Sequence, residues 1–164
     1  MGKAVPVSPH FTDTERDSEI YRSYSSELIR FANSLVGPTD APDVVSEAVM
    51  KAFTSKGWRD VDNHRAYLYQ TVLNVSRSRY RSAIRREARE ARAAMSERVD
   101  PPEVRPDVWE ALASLSPRQR AVAYLTYMED LDEAQVSQRL GIGRGSVRQH
   151  LGRAREKLRR VLDE

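Results

Sequence analysis

From Ile20 onward, apolar side chains recur every three or four positions, and no stretch alternates apolar and polar residues with period two. A period near 3.6 lines such residues along one side of an α-helix, whereas a half-buried strand needs period two. The chain must fold by packing helices on helices, so the expected fold class is all-α. The first stripe is Ile20, Tyr24, Leu28, Phe31 and Leu35, and Gly37-Pro38 stops it. Asp40 stands where it can cap a second helix, with Pro42 in the first turn and Val45, Val49, Ala52 and Phe53 facing inward. Gly57 closes that helix and a polar loop follows, in which Trp58 is equally suited to stacking on a ligand or closing the core. Residues 1–17 lack periodicity and are expected to be a disordered tail.

A third helix is expected from about Asn63 to Ala93. Leu68, Thr71, Val72 and Val75 form its apolar side, while Tyr67, Gln70, Asn74, Arg77 and Arg81, spaced 3, 4, 3 and 4, occupy the opposite side, with Arg85 and Arg86 beyond. An aromatic, two amides and several guanidiniums on one face make an interaction surface. Residues 93–106 lose the periodicity and hold Pro101, Pro102 and Pro106. They read as a flexible linker able to span at most about 50 Å. Short helices then resume over Val108–Ala113, Pro117–Met128 with Ser116 as N-cap, and Glu133–Leu140 with Asp132 as N-cap. After the turn Gly141-Ile142-Gly143, a last helix runs from about Arg144 to Val161. The expected architecture is therefore two small helical domains, residues 18–92 and 107–164.

The net charge of +3 hides a strong segregation. Residues 1–64 carry 7 Lys/Arg against 10 Asp/Glu, and residues 65–93 carry 8 against 2. Residues 94–133 carry 4 against 9, and residues 134–164 carry 8 against 3. Of the 27 cations, 23 are Arg, whose planar fork suits phosphates and guanine edges, so two Arg-rich blocks point to two contacts with nucleic acid. Two solvated helix faces are the plain alternative. The absence of Cys removes disulfides, thiol nucleophiles and Cys-based zinc sites. His10, His64 and His150 are too scattered for a metal site, and there is no P-loop, Gly-rich cradle or nucleophile–base pair. No catalytic residue, metal ligand or cofactor is expected. No run approaches the ~20 apolar residues of a membrane span, and Met1–Asp17 lacks the apolar core of a signal peptide, so the expected location is cytoplasmic.

The most specific local pattern lies between Asp132 and Leu158. A helix-turn-helix needs a small residue where its helices cross, a Gly in the turn four residues later and an apolar anchor six beyond that. Ser137, Gly141 and Val147 meet that spacing, and Val136, Leu140, Ile142 and Leu151 complete a buried side. Arg144, Ser146, Arg148, Gln149 and Arg153 are left facing outward, side-chain types that bond phosphates and base edges. His150 lies among them as a neighbour of phosphate or backbone; nothing nearby completes a metal or acid–base site.

Both halves resemble one family. Leu115, Arg120, Leu140, Gly141, Gly145, Val147, Leu151, Arg153, Ala154 and Arg155 match the pattern of region 4 of bacterial sigma factors of the extracytoplasmic-function type. The segment DVVSEAVMKAF and the segment AYLYQTVLNVSRSRYR resemble helices of region 2. Ser137, Ser46, Ala66-Tyr67, Ser78 and Val49 depart from the residues usual in the family, which bears on promoter preference.

The resemblance implies a non-enzymatic protein that docks on core RNA polymerase and supplies promoter recognition. Asp43, Val44, Glu47 and Lys51 would bind the coiled coil of the β′ clamp. Asn63, Tyr67, Asn74, Arg77, Tyr80 and Arg81 would hold the melted −10 element. Arg144, Ser146, Arg148, Gln149, Arg153 and Arg155 would enter the major groove of the −35 element, while the β flap holds that domain. An anti-sigma factor is a common partner in this class. Two other readings stay open at this point. A regulator of the LuxR type shares the V-x-x-H of Val147 and His150 but needs a signal-receiving N-terminal domain, commonly α/β. An RNA-binding adaptor would use the same basic helices without polymerase.

Overall fold

The structure, a computed structural model, describes residues 13–93 and 112–162. Among these residues there is no strand. The main helices are α1 (Asp13–Val36), α2 (Ala41–Phe53), α3 (His64–Ala93), α4 (Pro117–Tyr127), α5 (Glu133–Leu140) and α6 (Arg144–Leu162), with a 3-10 turn at Trp58–Asp60. The all-α expectation holds. The expected linker at 93–106 and the first short helix lie almost wholly outside the described residues; Ala93 ends α3, and Leu112 and Ala113 are helical.

The tail reading needs correcting at its C-terminal end, because α1 starts at Asp13. Polar contacts rather than an apolar stripe hold this first turn: Arg59 pairs with Asp13 at 2.6 Å, and the indole Nε1 of Trp58 donates to Asp17 at 2.8 Å. Both partners lie more than forty residues away in sequence, which is why local periodicity misses them.

Caps set the other boundaries. Ser116 and Asp132 each form a reciprocal capping box, with Gln119 and Gln135 respectively, satisfying backbone N–H groups that a helix start leaves unpaired. Asp40 occupies the N-cap position of α2 but makes no side-chain cap bond; Pro42 in the first turn needs none. α2 ends at Phe53 with Thr54 as its C-cap, three residues before Gly57.

One hydrophobic cluster runs through both halves. Leu28, Phe31 and Leu35 of α1, Val45 and Val49 of α2, and Leu68 and Val72 of α3 join Val122, Leu125, Val136, Leu140 and Val147. α4 packs directly on α1 and α3, and α5 packs on α3. α3 is consequently buried on a wider arc than its own periodicity predicts: Tyr69 and Leu73 are inside as well as Leu68, Val72 and Val75.

Candidate nucleic-acid interface

The helix-turn-helix forms as its spacing requires. Gly141 adopts φ 62°, the left-handed region that L side chains avoid, and its N–H closes α5 on the carbonyl of Ser137. Ser137 Oγ donates to the Ile142 carbonyl at 2.6 Å, and Val147 and Ala154 are buried. With that side inward, Arg144, Ser146, Arg148, Gln149, Arg153 and Arg155 are all exposed. Two of them have partners. Arg148 stands 3.5 Å from Glu133, and Arg155 Nε donates to the Tyr127 hydroxyl at 2.5 Å with its guanidinium 5.7 Å from that ring's centroid. Both contacts are solvent-exposed and exchangeable for stronger acceptors.

The residues expected on the α3 face are less free. Asn63 Oδ1 accepts the N–H of Ala66 at 2.9 Å, so this side chain caps α3. Tyr67 is half-buried, donates to Ser55 Oγ at 3.0 Å and presents its ring edge-on to Trp58. Trp58 closes the core rather than offering a stacking surface: it is buried against Phe53, His64 and Tyr67. Asn74 and Arg81 are exposed, whereas Arg77 and Tyr80 are half-buried. A shallow cleft lined by Val61, Asn63, Ala66, Tyr67 and Gln70 receives its remaining wall from Gln138 of α5.

That cleft lies where the two halves meet, and the sequence did not disclose its second wall. The turn at Gly141 abuts Gln70 so closely that a Cβ there would stand 2.5 Å from its Nε2. Arg139 places its guanidinium 4.8 Å from the centroid of the buried Tyr69 ring, and Phe31 meets Tyr124 at 5.9 Å. Arg120 donates to three carbonyls: Leu35 in α1 at 2.6 Å, Ala113 at 2.8 Å and Leu115 at 3.0 Å. Burial raises the Tyr124 hydroxyl to about 12, with help from its bond to Glu129. Burial, and then Arg118, Arg153 and Arg77, lower His150, so its ring is neutral near pH 7. His150 is therefore a half-buried neighbour of cations, and no group of three or more metal-ligating side chains occurs among the described residues.

On α2 the expected docking set needs one correction. Val44 is fully buried, because it points between α1, α2 and α3 with Val45 and Ala48. Asp43 and Lys51 are exposed, and Glu47 is shared by Lys51 at 2.6 Å and Arg79 at 2.9 Å, which hold its carboxylate below the usual range. The exposed arc also carries Ser46 and Met50, the latter 63% exposed. Met50 follows Glu47 by three residues, so helical spacing alone places it on this face.

The fold and its two basic faces define a two-part helical protein that meets nucleic acid. Residues 20–86 match the model of sigma-70 region 2, and residues 105–158 match that of sigma-70 region 4, together covering most of the chain. The RNA polymerase sigma-E factor of Streptomyces coelicolor is 28% identical over 151 residues, covering 88% of this chain and 84% of that one. The ECF RNA polymerase sigma factor SigE of Mycolicibacterium smegmatis is also 28% identical, over 88% of this chain and 60% of its own. Among solved structures, CnrH in complex with the cytosolic domain of CnrY superimposes with TM-score 0.60 at 26% identity, covering 92% of this chain and 89% of that one. The sigma factor RpoE of Bartonella quintana, solved with the anti-sigma factor NepR, shares the fold with TM-score 0.58 at 21% identity over 91% and 98%.

The chain belongs to the sigma-70 family, as an extracytoplasmic-function sigma factor. It is an alternative sigma factor that directs transcription initiation, a role the family performs without catalysis. These similarities lend no support to the LuxR-type alternative. No helix among the described residues is long and apolar enough to cross a membrane.

Proposed function

We propose that the two basic faces divide promoter recognition between them. α6 reads the −35 element as duplex in the major groove through Arg144, Ser146, Arg148, Gln149, Arg153 and Arg155. The α3 face captures the melted −10 strand. Tyr67, Gln70 and Asn74 supply the aromatic and amide groups that hold an unstacked base, and Arg77, Tyr80 and Arg81 follow its backbone. Asn63 acts here as a positioning residue, since its side chain caps the helix that carries the others. The observation that carries this division is the contrast between a uniformly exposed Arg/Gln face on α6 and a partly enclosed aromatic–amide face on α3.

Residues 18–92 and 107–164 serve as the two modules, joined through residues 93–106. Asp43, Glu47, Lys51 and Met50 on α2 bind the β′ clamp of core polymerase, and the β flap holds the α4–α6 module. On family grounds an anti-sigma factor joins the partners. The protein acts in the cytoplasm, where promoter DNA and polymerase are, and makes or breaks no bond itself. Two modules on one chain make the second contact intramolecular, which raises avidity without new contacts. The packing of Gly141 on Gln70 covers part of the α3 face, so full access to Gln70 requires the two halves to separate there.

The test is run-off transcription with core polymerase, with and without the protein, on a library of promoter fragments. Initiation that requires the protein and clusters on one pair of upstream motifs is expected. Arg153→Ala should reduce dependence on the upstream motif by about 1–3 kcal/mol, or roughly fivefold to 150-fold, with polymerase binding intact. Failure to stimulate, with sequence-specific duplex binding by the protein alone, would refute the division.

A further inference from the structure

The exposed surface of α6 is not a uniform field of arginine. Val147 and Ala154 mark its buried line, and at about 100° per residue the outward positions fall into three adjacent arcs. Arg144, Arg148, Arg155 and Arg159 share one flank within about 60°, and Arg153 and Arg160 share the other within about 20°. Between the flanks, on the crest farthest from the core, stand Gly145, Gln149, Gly152 and Glu156. All these residues are exposed. The line of α6 best placed to enter a groove therefore carries no cation.

The crest residues differ in what they can do. Glu156 pairs with Arg160 one turn on. It also lies about 10 Å along the axis beyond Gln149, away from the N-terminal end that a helix-turn-helix presents to base edges. Gln149 makes no side-chain hydrogen bond among the described residues, so both halves of its amide are free to pair. Gly145 and Gly152 stand one turn before and one turn after it. Neither has a positive φ, and a Cβ on either would meet nothing within 4 Å. The fold itself has no steric need for glycine at Gly152, in a helix interior where glycine is disfavoured against alanine. Two bare neighbours let a surface outside the chain come close to the helix backbone at Gln149. On the first flank, Arg148 and Arg155 are held aside by Glu133 and by the Tyr127 hydroxyl.

We infer that Gln149 is the base-reading residue of α6 and that its target is an adenine of the upstream element, with the flanking arginines on the phosphates at either side. The inference deepens the reading of α6 proposed above and rests on it. An amide offers one donor and one acceptor side by side, and adenine presents the matching pair, N7 and the N6 amino group, on its major-groove edge. Guanine presents two acceptors there, which suit a guanidinium instead. The major groove is about 12 Å wide and about 8.5 Å deep, so the crest meets base edges while the flanks face the groove walls. Arginines on the walls neutralise phosphate and set the register of the helix without choosing the sequence.

The experiment uses holoenzyme assembled from core polymerase and the full chain, on promoters randomised across the upstream element. The wild type is compared with Gln149→Ala, Gln149→Glu, Arg155→Ala and Gly152→Ala. The wild type should prefer adenine at one position by about fivefold to 150-fold, and Gln149→Ala should erase that preference there and nowhere else. Gln149→Glu, which can only accept, should move the preference at the same position to cytosine. Arg155→Ala should weaken all sequences alike and reduce the salt slope of binding by about 1. Gly152→Ala should raise the unfolding midpoint through helix propensity yet lower initiation that depends on the upstream element. An unchanged base ranking in Gln149→Ala would overturn the inference, as would relaxation at a position where the wild type prefers another base. So would a Gly152→Ala variant that initiates as well as the wild type. If the wild type depends on the upstream element and Gln149→Ala keeps its ranking, the inference fails alone and the division of promoter recognition stands. Wild-type holoenzyme indifferent to the upstream element would remove that division and the base reader with it.

Discussion

The two basic surfaces proposed to meet DNA are built differently. α6 buries a single stripe, centred on Val147 and Ala154, and leaves its Arg, Ser and Gln side chains in solvent. α3 is buried on both flanks where α4 and α5 cover it, and its outward residues are held by neighbours: Asn63 by Ala66, Tyr67 by Ser55 and Trp58, Gln70 by the Gly141 turn. Reading a duplex requires side chains that reach out from a rigid helix. Holding an unstacked base requires a recess whose walls are fixed in advance. The contrast also has a consequence for access, since closure of the two halves covers part of the α3 face while the α6 face stays exposed.

The largest expected effect tests whether the halves fold as one. Phe31 is fully buried and meets Tyr69 on its own side and Tyr124 across the junction. Phe31→Ala should cost about 3–5 kcal/mol in chemical denaturation. A single transition with that loss supports the shared core, whereas loss confined to an early transition would mean that the halves unfold separately.

Arg120→Ala comes next. It strands the carbonyls of Leu35, Ala113 and Leu115, and hydrogen bonds to a charged group are worth about 1.5–3 kcal/mol. Only the Leu35 bond crosses between the halves, so the variant should also lengthen the distance between labels on them. The absence of native Cys makes Met50→Cys and Met128→Cys, both exposed positions, a specific labelling pair. An unchanged distance would show that the apolar junction closes without this residue.

A smaller effect sharpens the same point. Gly141→Ala incurs the left-handed backbone strain of about 1–3 kcal/mol and, in the closed arrangement, a clash with Gln70 as well. In a cycle with Gln70→Ala, the pair should depart from additivity by at least about 0.5 kcal/mol. Strict additivity would place the turn away from Gln70 in solution.

The smallest effect is on pH dependence. Burial and the facing Arg118, Arg153 and Arg77 hold His150 below its unfolded value of about 6.5. The unfolded chain therefore binds the proton first, and this contribution to stability is complete above pH 6.5 and lost as pH falls toward the folded value. His64, lowered mainly by burial, has the same sign. Thermal unfolding should come earlier at pH 5.5 than at pH 7.5, and His150→Gln should flatten part of that slope. An unaltered slope would assign the dependence to other groups.

Much of this molecule is legible in its sequence. The helix starts at Ser116 and Asp132, the left-handed Gly141 and the buried Val147 follow from local rules of capping and spacing, which act over a few residues. The exposed set on α6 is legible for the same reason, because one amphipathic helix on one core leaves little choice of face. The readings that changed, and the one left open at Trp58, all depend on distant chain. Asp13 and Asp17 enter a helix through partners in the Trp58 turn, Trp58 turns inward, and Val44 sits between three helices.

Periodicity and charge in the sequence by themselves determined an all-α chain, its capped helices, and two arginine-rich faces suited to nucleic acid. Only the tertiary structure decided which of those side chains can be reached. Gln138 and Gly141 close over the α3 face, Tyr69 is buried under Arg139, and Met50 stands out on α2. A residue's own helix fixes the direction in which its side chain leaves the backbone, but its burial depends on what another segment places in that direction, and local periodicity carries no record of that segment.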